Sequence, residues 1–382
     1  METVTGQDLP ADDYRKRRSA TAPQKRTSPV RRLWTALISV SQWLRANWFL
    51  LVLLLLLSLT AVISIGLGPV AIPPERVVAV LSANLLPNSV PIEGPENAIV
   101  WNFRFARVLL VIAVGASLGM AGTAFQGLFR NPLADPFVIG ASSGAAMGAT
   151  LAIYFGWSLT AAGFGPIALA AFVGALATVT LVYLIAGQGN VTPIVALLLT
   201  GAALSSFFSA AVSFLMTLND ATLDVTFFWL LGGFAGRSWT QLQAALPYMA
   251  VGWLLLALLS RPLDLLGFGE ETAQGMGLNV GRARFLIVAG AALLTAAAVA
   301  SSGIIGFIGL IAPHAARFLF GPIHQRLLPA SALLGALLLL IADDAARLIL
   351  APVEIPIGVL TALLGAPFFL YLLRTRRHTL ME

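Results

Sequence analysis

The chain has 382 residues, 58% of them hydrophobic and only 10% charged, with a mean hydropathy of +0.88. An ordinary soluble domain carries about 25% charged residues, so this balance excludes that class and identifies an integral membrane protein, all-α because lipid offers backbone groups no outside partner. The absence of cysteine excludes disulfides and thiolate metal sites, and the formal charge of +6 does not indicate nucleic acid, because the cations gather beside the membrane-spanning runs at the two ends.

Residues 1–45 carry Arg15, Lys16, Arg17, Arg18, Lys25, Arg26, Arg31 and Arg32 among Asp, Ser, Thr and Pro. They are expected to form a disordered basic cytoplasmic tail able to touch anionic lipid, ahead of a polytopic domain over 46–376. Arg374, Arg376 and Arg377 follow the last apolar run. Because positive residues mark the cytoplasmic side, both termini are expected inside, with an even number of crossings. Apolar runs predict about ten transmembrane helices, near 48–67, 106–128, 137–157, 162–186, 192–217, 241–260, 284–302, 304–320, 327–350 and 356–374.

The segment 68–103 then falls outside; its prolines make it an irregular connector with a short helix at 75–86. Arg104 and Arg107 follow at the outer entrance of the second span. They oppose the positive-inside trend, so an acidic partner is expected. At the inner end of that span, "RNPLADP" interrupts the apolar pattern. Pro132 and Pro136 bracket a non-helical elbow, since proline removes a donor and restricts its predecessor. Gly140, Gly144 and Gly148 share one helical face, as do Gly115 and Gly119, which predicts close helix packing.

In the fifth span, Ser205, Ser209 and Ser213 recur every four residues as a hydroxyl stripe. Serines of this kind either bond their own i−4 carbonyl or face a channel. Residues 218–240 are expected outside, with an interfacial helix ending at Gly232 and Gly233. In the inner connection 261–283, "GEETAQGMG" predicts a short helix with Glu270 and Glu271 in its first turn, where the helix dipole favours them. Farther on, Asp343 and Asp344 stand four and three residues before Arg347 and can satisfy it within one helix.

No catalytic constellation appears. The three histidines, His314, His324 and His378, are scattered, and the two lysines, Lys16 and Lys25, follow no glycine, so there is no phosphate-cradling loop. If ATP drives this protein, ATP and magnesium belong on another chain. The alternative is a secondary carrier run by an ion gradient, which more often places ionisable groups at mid-membrane.

Six segments, "RNPLADPFVIGASSGAAMG", "LLTGAALSS", "FFWLLGGFAG", "LDLLGFGEETAQGMGL", "GIIGFIGLIAPHAAR" and "EIPIGVLTALLGAPFFLYLL", occur in the order found in FecCD-type permeases of ABC importers for iron-siderophores, haem and cobalamin. The chain resembles that family over about residues 50–375. The resemblance implies a non-enzymatic transport subunit of the bacterial inner membrane that carries a metal chelate, most often an iron-siderophore. It also implies a dimer, with itself or a related permease, two cytoplasmic ATPase subunits, and a periplasmic or lipid-anchored binding protein. Residue by residue, it assigns ATPase coupling to Gly269, Glu270, Glu271, Gly275, Met276, Gly277 and Leu278, and the cytoplasmic gate to Asn131, Pro132 and Leu133. It assigns binding-protein docking to Arg104, Arg107 and Arg347, and pathway lining to the span with Ser205, Ser209 and Ser213, beside the last span. The family's usual proline between the first two arginines is Ala106 here.

Overall fold

The computed structural model describes residues 29–68, 70, 72–86, 94–161, 163–187 and 193–375. The chain divides into two units, Met1–Phe49 and Leu50–Glu382; in the first, the described residues are helical, and the second contains the candidate site. The elements are α1 (Pro29–Gly66), α2 (Pro74–Leu85), α3 (Pro95–Phe129), α4 (Ala141–Tyr154), α5 (Pro166–Ala186), α6 (Ile194–Leu218) and α7 (Asp220–Leu231). They continue with α8 (Trp239–Leu258), α9 (Ser260–Gly267), α10 (Glu270–Gly275), α11 (Val280–Ser302), α12 (Ile308–Phe320), α13 (His324–Leu348) and α14 (Ile357–Thr375). Among the described residues there is no strand ladder, and the fold is all-α as expected.

Among the described residues, seven helices are long and apolar enough to cross a membrane: Trp48–Gly66 within α1, then α3, α5, α6, α8, α11 and α13. The other three predicted spans are α4 and α12, which are shorter, and α14. α4 starts at Ala141 instead of 137 because the elbow after α3 persists to Gly140. α12 is short because 303–307 is not helical. Such backbone survives at membrane depth only under protein cover, and here it has it: a Cβ on Gly303 would collide with Trp229 O, and one on Gly358 of α14 with Ile304 O. One expectation is corrected. α1 begins at Pro29, so residues 29–45 of the tail are helical; Leu33, Leu37, Val40 and Leu44 repeat at helical spacing, a signal that the charged composition obscured. Residues 1–28 lie outside the described residues.

Small residues set the packing, as they must where lipid is as apolar as leucine. α3 and α11 are the most enclosed spans, and α6 the least. α3 crosses α13 where Gly115 meets Gly335 and Gly119 meets Ser331; a Cβ on either α3 glycine would collide with the facing backbone. α4 and α5 approach in the same way through Gly144, Gly148, Gly174 and Ala170. The buried Ser117 hydroxyl is satisfied within the bundle: it donates to Ala113 O at 2.7 Å and accepts from Trp253 Nε1 at 3.1 Å.

α3 runs without interruption through Ala106. A π-helical stretch, Ala98–Phe105, passes into α-helix there, with Ala106 at φ −60° and its N–H bonded to Phe103 O. Proline could not make that bond; with alanine at 106 the helix is continuous here.

Candidate functional site

At the end of α3 expected to face outward, the three arginines singled out from the sequence are brought together and held from within. The Arg107 guanidinium meets Asp343 through Nε at 3.1 Å and Nη2 at 2.8 Å, and grips Glu354 with both terminal nitrogens at 2.9 Å. Asp343, fully buried, also lies 3.1 Å from Arg347 Nε. Arg347 is further bonded to Leu67 O at 3.0 Å, to Ser64 Oγ at 2.9 Å and to Asp344. Ser64 in turn donates to Asp344 at 2.6 Å. Arg104 differs: its guanidinium donates to the carbonyls of Ile65, Gly66 and Val70, with no carboxylate among them.

The acidic compensation expected for Arg107 is therefore present, supplied by α13 and by Glu354 before α14. The i−3 and i−4 pairing weighed for Arg347 is also present. Arg104, Arg107 and Arg347 line one recess of 250 Å³ together with Glu354 and Arg237. Arg237, in the loop between α7 and α8, was not singled out from the sequence; a single arginine in a glycine-rich turn has no distinguishing spacing.

At the other end of α3 the predicted elbow is present. The helix closes with Asn131 N–H on Gln126 O and Arg130 N–H on Gly127 O, the paired bonds of a Schellman closure. Arg130 occupies the left-handed position at φ +50°, a conformation that costs a non-glycine residue about 1 kcal/mol. Asn131 Oδ1 accepts from Leu133 N–H at 2.9 Å, and Asp135 Oδ1 accepts from Phe137 N–H at 2.8 Å. Burial pushes the Asp135 carboxyl up to about 6, against the smaller opposing effect of the Phe137 N–H. Pro136 packs on Gly309 at the start of α12, and Asn131 is exposed at the mouth.

The segment singled out for coupling lies beside this elbow. Gly269, at φ +104°, and Gly277, at φ +87°, bracket α10, conformations that only glycine adopts without strain. Ala273 is buried beneath α10, whereas Glu271, Gln274, Gly275 and Met276 are exposed. Glu270 is not free as its neighbour is: it pairs with the buried Arg284 of α11. α9, which leads into α10, is tied to α13 through Asp264, which accepts from His324 N–H at 2.9 Å and meets His324 Nδ1 at 2.7 Å. A methyl group on Gly269 would lie 3.8 Å from Arg130 Nη1. The segment is thus anchored to α11 and α13 and lies against the end of α3.

The serine stripe divides. Ser205 is half-buried and accepts from Ser143 Oγ of α4 at 3.1 Å. Ser209 and Ser213 are exposed, with Ser213 donating to Ser209 O at 2.9 Å. Four-residue spacing drifts around a 3.6-residue turn, which carries the first hydroxyl toward α4. A wider apolar groove of 640 Å³ lies between Leu230, Ile304, Phe307, Gly358, Ala362 and Pro367. It joins the end of α7, the non-helical 303–307 and α14.

Comparison with known proteins places these features in context. Residues 53–375 match the model of the FecCD transport family. The chain is 41% identical over 284 residues to the cobalamin import system permease protein BtuC of Halobacterium salinarum, covering 74% of this chain and 75% of that one. It is 38% identical to the Fe(3+)-citrate import system permease protein YfmE of Bacillus subtilis, covering 85% and 94%, and 39% identical to the molybdate import system permease protein MolB of Haemophilus influenzae, covering 74% and 83%. Among solved structures, an inward-facing metal-chelate type ABC transporter superposes with a TM-score of 0.75 at 36% identity, over 86% of this chain and 99% of that one.

Proposed function

The chain belongs to the FecCD transport family, and from that premise we propose that it is the permease subunit of an ATP-driven importer whose cargo is a metal chelate, an iron-siderophore first among the candidates. The single observation that supports this most is the match over residues 53–375, with the arginine recess, the elbow after α3 and α10 inside it. Relatives are named for cobalamin, molybdate and iron-citrate, and the choice of an iron chelate follows the iron-citrate permease, which this chain matches over 94% of its length.

In this reading the protein sits in the bacterial inner membrane with both termini in the cytoplasm. Two copies, or one copy and a related permease, enclose a pathway. The exposed face of α6 with Ser209 and Ser213, and the groove beside α14, face that pathway. A weakly polar wall suits cargo that must be released, since a channel that holds its passenger tightly stops transport. Two cytoplasmic ATPase subunits, which carry ATP and magnesium, receive α10 in a cleft through Glu271, Gln274, Gly275 and Met276. Motion of that cleft passes as a rigid-body shift through the Glu270–Arg284 and Asp264–His324 ties into α11 and α13. It reaches the elbow at Asn131, Pro132 and Leu133, which closes the inner mouth.

Outside, a loaded binding protein docks over the recess lined by Arg104, Arg107 and Arg347. The carboxylates of α13 do not suggest ion coupling, because Asp343 and Asp344 are both paired with arginine. The deciding experiment is uptake into proteoliposomes containing this chain, its ATPase subunits and the binding protein encoded beside it, with radioactive iron as a siderophore chelate. ATP-dependent accumulation supports the reading. Equal accumulation by the permease alone under a proton or sodium gradient overturns it.

A further inference from the structure

The outer recess has a charge imbalance that the docking assignment does not explain. Four guanidinium groups, those of Arg104, Arg107, Arg237 and Arg347, line it, and arginine stays protonated in proteins. Three carboxylates, Asp343, Asp344 and Glu354, pair with these arginines. All three are engaged by only two of the cations, Arg107 and Arg347. Arg104 rests on neutral carbonyls. Arg237 takes part in no ion pair among the described residues, and its Nε is buried without a hydrogen-bond partner. Burial pushes the Arg237 guanidinium below its ordinary value, the mark of a cation held where water solvates it poorly. Four cations against three carboxylates leave the cluster one negative charge short.

We infer that Arg237 is a docking residue, and that with Arg104 it receives a single carboxylate side chain presented by the external binding protein. The inference rests on the importer reading above. A carboxylate is the fitting anion because its two oxygens match the planar guanidinium fork and its one charge balances the cluster. A side chain is the fitting carrier because 250 Å³ is below the ~300–1,000 Å³ of pockets that enclose small molecules, too little for a metal chelate. The rim is open for its approach: a Cβ on Gly236, next to Arg237, would meet nothing within 4 Å. Arg107 and Arg347, already neutralised, shape the recess; Arg104 and Arg237 carry the attraction.

The test uses the full permease–ATPase complex in nanodiscs and the binding protein encoded beside it, with affinity measured at low and high salt. Arg237→Gln is expected to weaken binding at least tenfold at low salt and to flatten the salt dependence, with the melting temperature unchanged because no internal partner is lost. Arg237→Glu is expected to be rescued by one glutamate-to-arginine change on the binding protein. Arg76→Gln, which breaks the exposed Arg76–Glu96 pair elsewhere on the chain, is the charge control and leaves affinity intact. Wild-type affinity in Arg237→Gln while Arg104→Gln binds weakly overturns the inference and leaves the importer reading standing. A loss seen only with cargo-loaded binding protein also overturns it, by moving the carboxylate onto the cargo. A lowered melting temperature with unchanged affinity makes Arg237 structural and does the same. If the wild-type complex does not bind the binding protein at all, the importer reading itself fails.

Discussion

Asp343 and Arg107, 236 residues apart, form a buried ion pair with three guanidinium-to-carboxylate contacts of 2.8 to 3.1 Å and no solvent exposure on the Asp343 side chain. Breaking a buried pair from one side leaves an uncompensated charge, which costs about 3–5 kcal/mol. Asp343→Asn leaves both Arg107 and Arg347 short of charge. It is expected to lower the thermal stability of the detergent-solubilised protein by that order. A melting temperature within a degree of wild type would contradict the shared-carboxylate geometry.

The two glutamates of α10 are expected to separate experimentally. Glu271 is exposed and makes no ion pair among the described residues, so in the importer reading Glu271→Arg is expected to abolish ATP-dependent uptake while leaving the melting temperature unchanged. Glu270 neutralises the buried Arg284, so Glu270→Gln is expected to cost about 1–3 kcal/mol of stability. Thermal unfolding of each variant beside its uptake rate distinguishes them; identical behaviour of the two would remove the division of labour.

Glycine substitutions separate packing from docking in the same way. Gly119→Ala places a methyl group into the Ser331 backbone and is expected to cost about 1–3 kcal/mol through strain between α3 and α13. Gly275→Ala meets nothing within 4 Å in the permease itself, so its stability is expected to match wild type. Its affinity for the proposed ATPase subunits is expected to fall, because in that reading the methyl group enters their cleft. Binding of purified ATPase to permease in nanodiscs reads the second effect.

Asp135 gives the elbow a pH dependence. Its carboxyl titrates at about 6 in the fold, against an ordinary value of 3.8, so the folded state binds the proton more tightly than the unfolded one. Its contribution to stability is fully present below 3.8 and is lost as pH rises through 6. Asp135→Asn keeps an acceptor for Phe137 N–H and removes the titration. The variant is expected to show a flatter melting profile between pH 4 and 7 and to exceed wild type above pH 6. A profile parallel to wild type would assign the slope to another group.

The features legible in the sequence are those with local causes. Pro132 and Pro136 announced the elbow because proline acts on its own backbone and its neighbour's. The four-residue glycine spacings announced the α3–α13 and α4–α5 contacts because only small side chains allow such approach. Arg347 with Asp343 and Asp344 was visible as one helical turn. The pairing of Arg107 with Asp343 and Glu354 was not, because it is made by the fold across more than two hundred residues and leaves no spacing. Glu270 looked equivalent to Glu271 for the same reason: Arg284, which distinguishes them, lies beyond a loop. The serine stripe seemed uniform because a four-residue repeat approximates a helical face without following it.

The unbroken course of α3 has a mechanical consequence. At 1.5 Å per residue, its 35 residues make a rod of about 50 Å, longer than the ~30 Å hydrocarbon layer it crosses. Arg104 and Arg107 stand near one tip, and Arg130 stands just past the other. The π-helical stretch Ala98–Phe105 passes directly into the α-helical shaft at Ala106, with no non-helical residue between the outer tip and the shaft. A tilt of roughly 5° of a rod this long displaces one tip relative to the other by about 4 Å, so in the importer reading α3 is the element that links events at the two faces of the membrane.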